Sequence, residues 1–388
     1  MAKARKKAAR KKAAQGKVSL ESNPFEPSAS GAPLLEGDFW LPTKWKRELH
    51  GYLDRLDTGE GIRTLVIEGG YGSGKSYVLR WLERSEFPRR GVLPYYFENP
   101  EVKFYDLANS LLRRIGRKHF AKLLFELAAP NRDIPQQRSL FSRGFEAYME
   151  RLRPRATPTE LEDFQQAIQR SEITSDDEIA YCLARLIVDT PRKPYFEYRD
   201  FVSTRSGSLA AHGQEAHYFS AIIKVLRLAD SVKRVCFLLD EFEEISLQKR
   251  MTRRDSQDYL VTLRRLADIT AEGELWLVLA MTPDAADQTR RLNPAFWDRC
   301  YRFPIPPLSK ADARHLIEER IKRVSSTTPS SLFGPDYIDA LQLTTVANPR
   351  RLVKVLHMAV AEVINRQKPL SEDSLTEIDQ LLYPGEEP

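Results

Sequence analysis

The chain has 388 residues, 42% hydrophobic and 29% charged, which is room for two or three domains and a sizeable core. No run approaches the ~18 apolar residues of a membrane span and no apolar leader opens the chain. Cys182, Cys236 and Cys300 lie too far apart for a C-x-x-C zinc pattern, so a cytoplasmic protein with neither membrane attachment nor structural zinc is expected. The net charge of +6 is uneven, because residues 1–20 hold eight Lys and Arg and no acid, which leaves −2 for the remainder.

Residues 1–17 are dominated by Lys, Arg and Ala and have little to bury, which predicts a disordered segment. Its block of like charge suits counterion release from nucleic acid, and equally a solubilising or targeting tail. Asn23-Pro24-Phe25-Glu26-Pro27 and the stretch to Pro33 read as an extended linker, so residues 1–35 form the tail and linker. Phe39, Trp40, Trp45, Leu49, Tyr52, Leu53 and Leu56 then supply the apolar positions of a helix.

Thr64 to Ile67 is a short apolar, partly β-branched run, and Tyr77 to Leu82 has helical spacing. Between them stands Gly69-Gly70-Tyr71-Gly72-Ser73-Gly74-Lys75-Ser76, which fits the phosphate-loop pattern G-x-x-x-x-G-K-[ST]. In such a loop backbone N–H groups and a helix N-terminus face the phosphates. Lys75 is expected to reach the β- and γ-phosphates and Ser76 to ligate Mg²⁺, with Gly69 through Tyr77 as the nucleotide-binding stretch.

A second strand is predicted at Val92 to Phe97, followed by a long, mainly helical insert over residues 101–230. Its stripes, such as Leu107, Leu111 and Ile115 or Ile179, Leu183 and Leu186, read as core. Within it, Arg192, Lys193, Tyr195, Phe196, Tyr198, Arg199 and Arg205 mix bases with aromatics, which suits either a single-strand groove or an ordinary surface loop.

Val235 to Leu239 is a continuous apolar run, the mark of a strand buried on both faces of a parallel sheet, and it ends in Asp240-Glu241. Acids at such a strand end sit where α/β sheets bind ligands. Asp240 is expected to hold the Mg²⁺ shell and Glu241 to polarise the attacking water, or both simply to cap the next helix; Glu243 and Glu244 read as surface carboxylates. Leu275 to Met281 is a further buried strand ending at Thr282-Pro283, where Thr282 could bond the γ-phosphate or cap a helix. A last strand is expected over Arg302 to Ile305. From Ser309 the pattern is all-helical: a capped helix through Ile321, helices over Tyr337 to Leu343 and Arg351 to Ile364, and a turn at Ala347-Asn348-Pro349-Arg350.

The combination resembles the AAA+ ATPases and their additional-strand P-loop relatives. Gly69 to Ser76 matches the family's Walker A, Leu238-Leu239-Asp240-Glu241 its Walker B, Thr282 its sensor 1 position and Ala347 to Arg350 its sensor 2 turn. Pro307-Leu308-Ser309 and the helix after it are similar to the lid of replication-initiator and transposition-regulator ATPases, and Ala216 to Glu244 more weakly to BREX-type phage-defence ATPases. The resemblance implies a P-loop α/β fold with a parallel five-stranded sheet, here over residues 36–308 with its insert, and an all-α lid over 309–388. It also implies ATP and Mg²⁺, assembly into rings or filaments, Arg350 as the lid arginine with Arg351 the alternative, and an arginine finger entering a neighbour's site. Arg299 matches the finger best, with Arg302, Arg290 and Arg291 as further candidates. The insert is longer than a minimal ATPase needs and no winged-helix pattern is read after the lid, so sequence-specific duplex reading is not expected. The expected activity is ATP hydrolysis that couples assembly to DNA, bound through the tail, or to a DNA-bound protein; the alternative is a slow nucleotide-gated switch whose insert docks a protein partner.

Overall fold

The computed structural model describes residues 20, 22–25, 43–101, 104–131, 144–151, 158–190, 203–204, 207–208, 214–229, 232–249, 251–269 and 274–384. These fall into two compact units, one from residues up to Gly51 with Gly69–Val78 and Pro304–Pro388, the other from Tyr52–Glu68 and Leu79–Phe303.

The larger unit is built on a five-stranded sheet of β1 (Thr64–Glu68), β2 (Val92–Phe97), β3 (Arg234–Leu239), β4 (Leu275–Met281) and β5 (Cys300–Pro304), ordered β2-β3-β4-β1-β5. Thr64 pairs with Leu277, Val235 with Leu275 and Val92 with Arg234, each in a parallel ladder. Parallel strands need long crossovers that cover both faces, which is why β1 and β4 are buried at every position and read as unbroken apolar runs. The parallel five-stranded sheet expected from the sequence is the sheet observed, with the last strand starting two residues earlier than its apolar pattern indicated.

Among the described residues, the helices of the insert are Phe104–Ile115, Arg117–Ala128, Gly144–Arg151, Pro158–Arg170, Asp177–Asp189 and Glu215–Ala229. Asp176 caps the fifth by accepting from the N–H groups of Glu178 and Ile179, both at 2.9 Å. Phe125 packs against Phe145, Tyr148 and Phe164, and the predicted stripe residues Leu107, Leu111, Ile179, Leu183 and Leu186 share one continuous core with Val66, Phe97 and Phe237 of the sheet. The apolar stripes are therefore core, as their spacing indicated. Arg192 to Arg199 and Arg205 lie outside the described residues, as do the basic residues Lys3 to Lys17 and Phe39 and Trp40.

In the smaller unit Ser309 caps Lys310–Lys322 by accepting from Asp312 N–H at 3.0 Å. Pro329–Phe333, Leu343–Ala347, Pro349–Arg366 and Glu372–Leu382 complete the lid. The helix expected over Tyr337 to Leu343 is a run of turns followed by the short helix Leu343–Ala347. Gly334 stops the preceding helix with φ 98, and carboxylates from the last helix take the free backbone donors: Glu372 accepts from Asp336 N–H and Asp379 from Gln342 N–H, both at 2.8 Å. Tyr337, Ile338 and Leu341 still reach the core from these turns, so their apolar character reflects burial rather than helical period.

The proposed linker also departs from expectation. Leu20 and Phe25 are buried in the lid core. Asn23 donates to His357 O at 2.8 Å, the His357 ring meets Phe25 O at 2.5 Å, and Arg320 lies over the Phe25 ring and donates to Pro24 O at 3.3 Å.

Candidate nucleotide-binding site

The phosphate loop leaves the buried strand β1 and ends where Lys75–Trp81 begins. Gly72 and Gly74 have φ 77 and 96, a left-handed backbone that side-chain-bearing residues rarely adopt, so these two glycines are demanded by the turn itself. Lys75 is 8% exposed, and its ammonium donates to the carbonyls of Gly69 at 2.9 Å and Gly70 at 3.2 Å. Among the described residues the buried Ser73 hydroxyl has no hydrogen-bond partner. A buried hydroxyl left unsatisfied within a glycine loop fits a site that takes a polar ligand such as a phosphate.

The lid reaches this loop through the turn Ala347-Asn348-Pro349-Arg350. Asn348 caps Pro349–Arg366 by accepting from the N–H groups of Arg350 at 3.1 Å and Arg351 at 3.3 Å, and its amide donates to Tyr71 O at 2.9 Å. Arg350 N–H also lies 3.3 Å from Gly72 O. A Cβ on Gly72 would sit 2.6 Å from Asn348 Oδ1, so the close approach needs glycine there. The Arg350 side chain is exposed, whereas the Arg351 guanidinium stacks 4.7 Å from the Tyr383 ring inside the lid.

Sequence reading missed Lys46. It is 8% exposed, with its ammonium 5.7 Å from the Trp45 ring and 5.6 Å from the Tyr77 ring. Burial lowers its pKa to about 7, partly offset by Asp312. Only the apolar stripe of its helix was legible, and a buried lysine leaves no mark in such a stripe.

The acid pair stands at the C-terminal end of β3. Asp240 is 2% exposed; its Oδ2 accepts from the Tyr96 hydroxyl at 2.7 Å and its Oδ1 from Glu241 N–H at 2.9 Å. Glu241 is exposed with φ 50, a strained backbone for a residue other than glycine. Its carboxyl is raised above the usual carboxylate range, first by desolvation and then by Asp240, with smaller contributions from Glu243 and Glu244. Glu243 is not the surface carboxylate its sequence context indicated: it is 5% exposed at the start of the short helix Glu243–Ser246, because Phe242 and Ile245 on either side are drawn into the core. Glu244 is half-buried and accepts from the Asn99 amide at 3.4 Å.

Thr282 caps Pro283–Leu292, its hydroxyl accepting from Ala285 N–H at 3.4 Å, which is the capping alternative of the sequence reading. Arg299 pairs with Asp268 at 2.6 Å and donates to Ala295 O at 2.6 Å. Arg302 holds Glu68 at 2.6 Å, and Arg290 and Arg291 are exposed. Among the described residues no three His, Cys, Asp or Glu side chains cluster as a metal site, and no helix is long and apolar enough to cross a membrane.

A glycine loop after a buried parallel strand and an acid pair ending another strand of the same sheet define a P-loop ATPase fold. The profile of the AAA domain family matches residues 59–289, which include Gly69 to Ser76, Asp240, Glu241 and Thr282, and the chain belongs to that family. Among solved structures, the Aeropyrum pernix ORC2 protein in its ADP form is similar over 93% of this chain and 73% of that one, at 14% identity and a TM-score of 0.48. The same protein in its ADPNP-ADP complexes is similar over 91% and 72%, at 14% identity and a TM-score of 0.47. No curated protein sequence matches the chain.

Proposed function

We propose that this protein hydrolyses ATP and couples nucleotide-dependent assembly to action on DNA or on a DNA-bound protein. The observation that carries the reading is the parallel sheet itself: β1 delivers the chain into Gly69 to Ser76, and β3, parallel to β4 as is β1, ends in Asp240-Glu241. In the proposed mechanism the loop's N–H groups and Lys75 hold the phosphates, Ser76 and Asp240 hold Mg²⁺, and Glu241 orients the attacking water. A hydroxyl and a carboxylate are the hard oxygen donors that suit Mg²⁺, whose contribution is to neutralise charge building on the phosphate oxygens. The raised pKa of Glu241 brings a carboxylate nearer the range in which proton acceptance is effective.

Arg350, exposed beside the loop, is the better candidate for the lid arginine, since Arg351 is engaged with Tyr383. Thr282 combines its capping role with contact to the γ-phosphate or its water. Arg299 serves a second copy of the chain as the finger and exchanges Asp268 for the neighbour's phosphate when it does so. DNA is engaged by the basic residues Lys3 to Lys17, and the helical insert offers a surface for a protein partner.

The test is ATP turnover and particle mass, measured with and without DNA, for the full chain and for a form lacking residues 1–17. Lys75→Ala and Glu241→Gln should each lose at least ~10²-fold in turnover, because positioning and charge stabilisation are nearly all of this chemistry. Unchanged turnover in both variants would remove the mechanism. Turnover that is slow and indifferent to DNA, together with a stable protein partner, would replace it with the nucleotide-gated switch.

A further inference from the structure

A carboxylate that is 2% exposed is costly unless its oxygens are satisfied. Asp240 meets that demand with two donors of different kind. Glu241 N–H is its chain neighbour and would be present in almost any strand ending. The other donor, the Tyr96 hydroxyl, comes from a residue 144 positions away on β2. Tyr96 pairs with Leu238 in the ladder, two residues before Asp240, which sets the phenol beside the end of β3.

The ring that carries this hydroxyl is itself fixed. Tyr96 is 1% exposed, and the Arg80 guanidinium lies 3.4 Å over its face while pairing with Glu83 at 2.9 Å. Arg114 donates to the Tyr96 carbonyl. The phenol is the donor in this 2.7 Å contact, since an ionised carboxylate oxygen can only accept. Each carboxylate oxygen has two lone-pair directions, so one donor on Oδ1 and one on Oδ2 lock the plane of the group and leave one direction free on each.

We infer that Tyr96 is a positioning residue that presets Asp240 for Mg²⁺, with Arg80 holding the ring in register. The inference rests on the reading of Asp240 as part of the metal site. It assigns Tyr96 more than the satisfaction of a buried charge: the hydroxyl fixes where the free lone pairs point, and partners of this type govern metal affinity by about 10- to 100-fold in metal sites generally. A purely structural hydrogen bond would instead lower stability and leave metal affinity alone.

The experiment measures Mn²⁺ binding by electron paramagnetic resonance on the full chain with a non-hydrolysable ATP analogue, and analogue binding without metal. Tyr96→Phe keeps the ring and the Arg80 stack and removes the hydroxyl; it should weaken Mn²⁺ about tenfold and leave metal-free analogue binding unchanged. Arg80→Met keeps the hydroxyl and loosens the ring, and should weaken Mn²⁺ by a smaller factor than Tyr96→Phe does. Asp240→Asn serves as the reference. If Asp240→Asn leaves Mn²⁺ affinity at the wild-type value, the metal-site reading fails and the inference falls with it. If Asp240→Asn abolishes binding while Tyr96→Phe and Arg80→Met bind Mn²⁺ as tightly as wild type or tighter, the inference about Tyr96 alone is overturned.

Discussion

Lys75 rests its ammonium on two carbonyls of its own loop, at 2.9 and 3.2 Å, whereas Asp240 has each oxygen bound by a donor, one of them 144 residues distant. A cation on neutral carbonyls is held by ion–dipole bonds, and a phosphate outcompetes them because it adds direct attraction between two full charges. A buried carboxylate with a protonated phenol and a backbone N–H has no such cheaper alternative. The loop-and-lid unit is therefore the responsive part and the sheet unit the prearranged part. The lid shows the same economy, touching the loop through one amide and one backbone N–H, at Tyr71 O and Gly72 O.

The largest expected effect bears on how the responsive unit keeps its own integrity. Phe25 is fully buried in the lid core, so Phe25→Ala should cost about 3–5 kcal/mol, read as an early-melting transition in urea or heat. A wild-type melt would mean that the N-terminal segment is not part of that core. Next in size is Gly72→Ala. At φ 77, and with its new Cβ 2.6 Å from Asn348 Oδ1, this variant should lose about 1–3 kcal/mol of stability and bind ATP analogue more weakly. Gly70→Ala, where a Cβ meets nothing within 4 Å, is the control whose stability should change little.

Lys46 gives a pH-dependent contrast within the same unit. Its folded pKa of about 7 lies below the ordinary 10.5, so between those values the unfolded chain binds more protons and stability rises with pH. The cost of burying its charge is present in full below about pH 7 and is relieved above it. Lys46→Met should flatten the difference between melting temperatures at pH 7 and pH 9, and a persistent slope would assign it to other groups.

The smallest effect belongs to the prearranged unit. Glu241 has a raised folded pKa, so the native state holds this proton more tightly and stability falls as pH climbs from 4.5 through the raised value. At pH 7, Glu241→Gln removes a charge beside Asp240, and its melting temperature should equal or slightly exceed that of wild type. A clear loss of stability would show that the strained, exposed glutamate is supported by more than its charge.

What could be read from sequence was what is local. The phosphate loop carries its own turn chemistry in Gly72 and Gly74, and β3 and β4 announce burial on both faces by unbroken apolar runs. Ser309 declared its helix start because capping acts within three residues, whereas Asn348, which caps Pro349–Arg366, read only as part of a turn. The features missed depend on distant partners. Glu243 is buried by the packing of Phe242 and Ile245, Tyr337 to Leu341 turn because Glu372 and Asp379 supply carboxylates from the last helix, and Leu20 and Phe25 find a core formed some 300 residues later. Tyr96 looked like one more strand aromatic, since nothing in its neighbourhood names Asp240.

The burial of Phe25 also fixes a leash length. Covalent geometry alone caps the distance from the buried Leu20 to the start of residues 1–19 at about 65 Å, since a chain gains at most about 3.4 Å per residue whatever its conformation. A polyanion bound by Lys3 to Lys17, as proposed above, would therefore be held to the lid by a covalent tether.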